Sequence, residues 1–61
     1  MKNNDIVHVD TNNYDWGRVC SDGYIVCCYS DGYHLVSCVS IRACIIIPEE
    51  DIVVLDRTIL P

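Results

Sequence analysis

Apolar residues fall in short β-branched runs along this chain: Ile6-Val7, Ile25-Val26, Ile45-Ile46-Ile47 and Ile52-Val53-Val54. Such runs favour strands, and no segment of adequate length shows a helical period. Clusters of Asn, Asp, Gly and Ser lie between them, each suited to tight turns. The pattern predicts strands over 6–9, 16–20, two arms flanking Asp31-Gly32, 43–47 and 52–55, with a turn-rich loop over 10–13 and a bend at 40–42. Pro48 lacks the N–H that a ladder needs and ends the strand before it. Pro48-Glu49-Glu50-Asp51 then suits one short helical turn.

One tetrapeptide occurs twice. Ser21-Asp22-Gly23-Tyr24 returns as Ser30-Asp31-Gly32-Tyr33. Asp-Gly between apolar runs is a strong hairpin signal, because a type I′ turn needs positive φ at both central residues. Both copies are therefore expected to be turns of a meander. With Asp31-Gly32 as a two-residue loop, Ser30 pairs Tyr33, Cys27 pairs Val36 and Ile25 pairs Cys38. One face of the hairpin then holds Tyr24, Val26, Cys28, Leu35 and Val39. The other holds Ile25, Cys27, Tyr29, Val36 and Cys38, with His34 opposite Tyr29.

The expected fold is all-β: five to six short antiparallel strands with one short helical turn before the last, in a single domain over 1–61. Closure into a barrel would remove the edge strands that so β-rich a chain must hide. D-I-V-H-V at 5–9, W-G-R-V at 16–19 and P-E-E-D-I-V-V-L at 48–55 resemble the small SH3-like barrels, in particular KOW-type and related bacterial or phage modules. That resemblance implies a non-enzymatic binding module for RNA, peptides or proteins. The first loop departs from it, carrying acids and Asn where nucleic-acid-binding KOW modules have Gly and a basic surround.

Composition narrows the function. The chain has 61 residues, which allows one domain with a small core. Its 51% apolar content is too high for a disordered chain. Net charge is −5 and the bases Lys2, Arg18, Arg42 and Arg57 are scattered, so the overall field repels phosphate. Nucleic-acid association is thereby disfavoured; an acidic surface fits a basic protein partner or simply keeps a small protein soluble. Five cysteines cannot all pair within one chain. The start, MKNNDIVHVD, lacks the apolar core of a secretory signal, and no run approaches a membrane span. A cytoplasmic setting with reduced thiols is the expectation.

No Cys-x-x-Cys pair signals zinc or redox chemistry. Cys27 and Cys28, adjacent in a strand, point to opposite faces. A metal set of Cys27, Cys38, His34 and His8 is the one arrangement that could make a zinc-stabilised module, against a simpler packing role for the thiols. Neither a catalytic residue nor a cofactor is expected. The strongest functional hint is a hairpin apolar on both faces, with one interior to hide one of them. The expected protein-binding residues are Tyr14, Asp15 and Trp16 as a peptide groove, and Ile25, Cys27, Tyr29, His34 and Val36 as an apolar patch. A homo-oligomer, most simply a homodimer, is expected to cover that patch. The expected function is that of a small interaction protein that blocks or modulates a protein partner, of a size that fits a phage or mobile-element product. The alternatives are a KOW-like nucleic-acid-associated module and a zinc-stabilised one.

Overall fold

A computed structural model describes residues 1–14 and 17–56. It contains five antiparallel strands: β1 (Ile6–Tyr14), β2 (Gly17–Cys28), β3 (Tyr33–Cys38), β4 (Ala43–Pro48) and β5 (Ile52–Asp56). They form one sheet in the order β4-β3-β2-β1-β5. A short 3₁₀ turn, Glu49–Asp51, precedes β5, as the acids after Pro48 imply.

The barrel is not formed. Closure requires a ladder between the two outermost strands. Here β4 and β5 stand at opposite edges, and among the described residues β5 pairs with β1 alone. The SH3-like resemblance fails at this point. What stands of it is the all-β class, the five strands and the helical turn. Both edge strands are short, six and five residues, which limits their value as templates for another chain.

The first hairpin is longer than the expected strand and loop. Asp10, Thr11, Asn12 and Asn13 belong to β1; Asp10 pairs Cys20 and Thr11 pairs Val19, and an irregularity separates them from the Tyr14–Gly17 rung. Val9 and Thr11 face inward at 0% and 1% exposure, so alternation carries the strand through the polar stretch. Likewise, β2 runs without a break through Asp22-Gly23. Only the second copy of the repeat turns. Asp31 and Gly32 both have positive φ, +65° and +77°, as Asp-Gly implies. Ser30 joins the loop, and Tyr29 N–H donates to the Tyr33 carbonyl. A bulge between Ile25 and Cys27 slides the pairing further. Ile25 therefore meets Val36, not Cys38, and Cys27 meets Leu35.

The core lies on one face. Val7, Val9, Val19, Ile25, Val36, Cys38, Ile47 and Ile52 make a single cluster drawn from all five strands. β2 alternates strictly from Val19 to Val26, odd positions in and even positions out. Ser21 takes an inward position because its hydroxyl is satisfied there: it donates to the Asp22 carbonyl and accepts from Ser40 N–H. The second bond ties β2 to the turn between β3 and β4, where Arg42 takes positive φ. Asp5 is buried just before β1, and its carboxylate accepts the backbone N–H of Lys2.

His34 is the exception to satisfied burial. It is 6% exposed, packed inward on β3, and neither ring nitrogen has a hydrogen-bond partner among the described residues. An imidazole left this way forfeits its hydration without replacement. His34→Leu, close in volume, is expected to raise stability by about 1–2 kcal/mol, read as a higher urea midpoint. A lower midpoint would mean that the ring's packing outweighs its lost hydration.

Candidate functional site

The fold turns one face of the sheet outward. Cross-strand rungs set its pattern: Val53 beside His8, His8 opposite Asp22, Asp10 opposite Cys20, Ile6 opposite Tyr24, Ser37 opposite Cys44, and Leu35 opposite Ile46. Ile6 and Tyr24 are each 45% exposed, Val53 61% and Ile46 51%. Val26 and Leu55 are exposed as well. These are large apolar side chains on the water side of a sheet whose other side is already a core.

Polar groups stitch β1 to β2 through the middle of this face. Arg18 donates to both Asp10 carboxylate oxygens, from Nε at 2.7 Å and from Nη2 at 2.6 Å. The hydrogen bond from Arg18 holds the Asp10 carboxyl below its ordinary range; burial opposes it, and the charge of Arg18 adds a lesser lowering. This pairing is present at neutral pH and fades as pH falls through the lowered carboxyl range. The Arg18 guanidinium is correspondingly raised, first by that hydrogen bond and then by the charge of Asp10.

One rung along lies a Cys-His-Asp constellation. Asp22 Oδ1 is 2.7 Å from His8 Nδ1, and His8 Nε2 is 3.4 Å from Cys20 Sγ. An ionised carboxylate only accepts, so the Nδ1 proton points at Asp22 and the Nε2 lone pair faces the thiol. All three residues have the same strand parity, which places them outward together.

The expected binding residues separate. Ile25 and Val36 are wholly buried, paired across β2 and β3 in the core. His34 is buried beside them, and Cys27 is half-buried at the bulge. Tyr29 is 47% exposed, next to the hairpin turn. Tyr14 ends β1 opposite Gly17. Asp15 and Trp16 lie outside the described residues, as does the apolar tail from Arg57 to Pro61. The outward face of the central hairpin is instead the one with Tyr24, Val26 and Leu35.

The four expected metal ligands do not meet. His8 faces outward while His34 and Cys38 face the core. Among the described residues no three His, Cys, Asp or Glu side chains converge as a metal set. Cys38 is 1% exposed; burial pushes its thiol up, with the charge of Cys44 adding. Cys20, Cys28 and Cys44 are exposed. A shallow hollow between the two turns is lined by Asp31, Gly32, Tyr33, Pro48, Glu49 and Glu50; its three carboxylates are solvent-exposed, as expected of a solvated acidic turn. No described helix is long and apolar enough to cross a membrane.

No protein-family model, curated protein or solved structure matches this chain.

Sequence reasoning missed the Cys20–His8–Asp22 set because it placed a turn at Asp22-Gly23. The signal was present in the numbering. A long hairpin folded about position 15 sets 8 opposite 22 and 10 opposite 20, which are the observed rungs.

Proposed function

We propose that this protein is a small non-enzymatic interaction module, working in the cytoplasm, that binds one protein partner through the outer face of its sheet and modulates it by covering that surface. The observation that carries the reading is the exposure of Ile6, Tyr24, Val53 and Leu55 on the side of the sheet away from the core. A sheet of this size already spends its other apolar face on folding, so a second apolar face serves contact with something else. Tyr24 is the natural anchor, since a tyrosine offers a large rigid area and a polar tip.

The charge argues for the partner's chemistry. The chain is −5 overall, and Asp22 and Asp10 lie between the apolar positions. A partner presenting apolar side chains with Lys or Arg among them is steered in and satisfied there. A second copy would set the same acids against each other, and phosphate is repelled for the same reason.

The test is capture from native lysate with the outer face varied. Tyr24→Asp and Val53→Asp are expected to weaken capture about tenfold or more, roughly 1.4 kcal/mol. Tyr29→Asp, at the hairpin end, leaves it unchanged, and light scattering on the purified chain gives a monomer. Loss of capture with Tyr29→Asp but not with the two outer-face variants would overturn the reading. A dimer abolished by Tyr24→Asp would replace the partner with a second copy.

A further inference from the structure

We propose that Cys20 is a covalent modification site for small disulfides, with His8 as the proton acceptor and Asp22 as the residue that positions the ring. The inference stands on geometry that docking does not need. A nucleophile, a base within reach of it and a carboxylate orienting that base are the parts of an activated thiol. Here the sulfur-to-nitrogen distance is 3.4 Å and the nitrogen-to-carboxylate distance 2.7 Å. The carboxylate holds the ring in the tautomer whose free nitrogen faces the thiol. Cys20 is exposed, so a reagent reaches it without opening the fold.

The step balances as thiol–disulfide exchange. The Cys20 proton passes to His8 Nε2 as Sγ attacks one sulfur of the disulfide. The disulfide's S–S bond breaks, a bond from Sγ to that sulfur forms, and the departing thiolate takes the proton back from His8 to leave as a thiol. Cys20 is oxidised to a mixed disulfide and half of the small disulfide is reduced.

Local charge selects among disulfides. The Asp22 carboxylate is 67% exposed beside the site, and Arg18 nearby is committed to Asp10 by two bonds. An amine-bearing disulfide is therefore preferred over an anionic one.

The chain supplies its own reference thiols. Cys44 and Cys28 are exposed too, but among the described residues neither is hydrogen-bonded to an imidazole, and the Cys28 thiol faces the Met1 carbonyl. Native protein is treated with limiting cystamine at pH 7 and each cysteine followed by peptide mass. Cys20 is expected to react at least about tenfold faster than Cys44 and Cys28, a modest general-base gain for a site open to water. His8→Gln brings Cys20 down to their rate, and added imidazole restores part of it. Asp22→Asn slows Cys20 severalfold and Asp22→Glu recovers it. An anionic aromatic disulfide shows a smaller preference for Cys20 than cystamine does. Continued protection of Cys38 in each variant reports that the fold is intact. Equal rates for Cys20 and Cys44 in the wild type, or a Cys20 rate unmoved by His8→Gln, would overturn the assignment.

Discussion

Gly23→Ala is expected to destabilise this protein by about 3 kcal/mol or more, enough to leave much of it unfolded at room temperature. The reason is steric. A Cβ at Gly23 would run into the Ser37 carbonyl oxygen and lie 3.0 Å from the carbon that bears it and 3.3 Å from the Cys38 Cα. All three are backbone atoms, so no side-chain rotation relieves the clash. β3 would have to move off β2 at the Gly23–Cys38 rung. That movement also strains the bonds from Val39 N–H to the Asp22 carbonyl and from Ser40 N–H to Ser21. Overpacking of this kind costs about 1–3 kcal/mol where neighbours yield and more where they do not. A chain of 61 residues has only about 3–9 kcal/mol in total.

Gly17 is the matched control. Its φ is +97° but nothing among the described residues lies within 4 Å of an added Cβ, so Gly17→Ala brings mainly backbone strain, about 1–2 kcal/mol. Urea unfolding of the two variants separates the mechanisms. Asparagine at 23 sharpens the comparison. In a tight turn Asn replaces Gly at little cost, whereas in this sheet Gly23→Asn fails as badly as alanine does.

The second large effect is expected from Ile47→Ala, at about 2–5 kcal/mol. Ile47 is 0% exposed and belongs to the core cluster, so truncation removes buried area and leaves a cavity. Its neighbour Ile46 is 51% exposed on the other face. Ile46→Ala is expected to change stability by no more than about 0.5 kcal/mol. Three consecutive isoleucines look alike in composition, yet alternation gives neighbours opposite environments. Similar losses at both positions would mean that β4 is covered on both faces.

Much of the strand pattern was legible because β-branched runs and Pro48 are local signals. The helical turn after Pro48 and the positive φ values at Asp31-Gly32 follow from the same local chemistry. What stayed hidden was decided by tertiary contact. Ser21-Asp22-Gly23-Tyr24 and Ser30-Asp31-Gly32-Tyr33 are the same four residues, but only the second is free to turn. In the first, Ser21 anchors the β3–β4 turn, Asp22 orients His8, Gly23 lets β3 come close, and Tyr24 faces outward. Small and polar residues at inward positions 21 and 23 erased the alternation that would have marked a continuous strand. The hairpin register slipped for a related reason: neither the third loop residue nor the bulge at Ile25–Cys27 leaves a compositional trace. That slip did not change which hairpin residues were apolar. Nor did it regroup Ile25 and Val36, which share a face under either pairing; which face is inside was left open by the sequence, and packing put Ile25 and Val36 in the core and moved the candidate binding surface to Tyr24 and Ile6. Barrel closure was inferred from the need to hide edges, a general tendency that the order β4-β3-β2-β1-β5 does not follow here.

A thiol footprint of the captured complex addresses the outer face most directly. Cys20 and Cys44 lie on that face, whereas Cys28 is exposed where β2 ends, away from it. Alkylation rates are compared at each cysteine, free and bound, by peptide mass. If the outer face is the docking surface, the partner protects Cys20 and Cys44 and leaves Cys28 as reactive as before. Protection of Cys28 with Cys20 and Cys44 unchanged would contradict it.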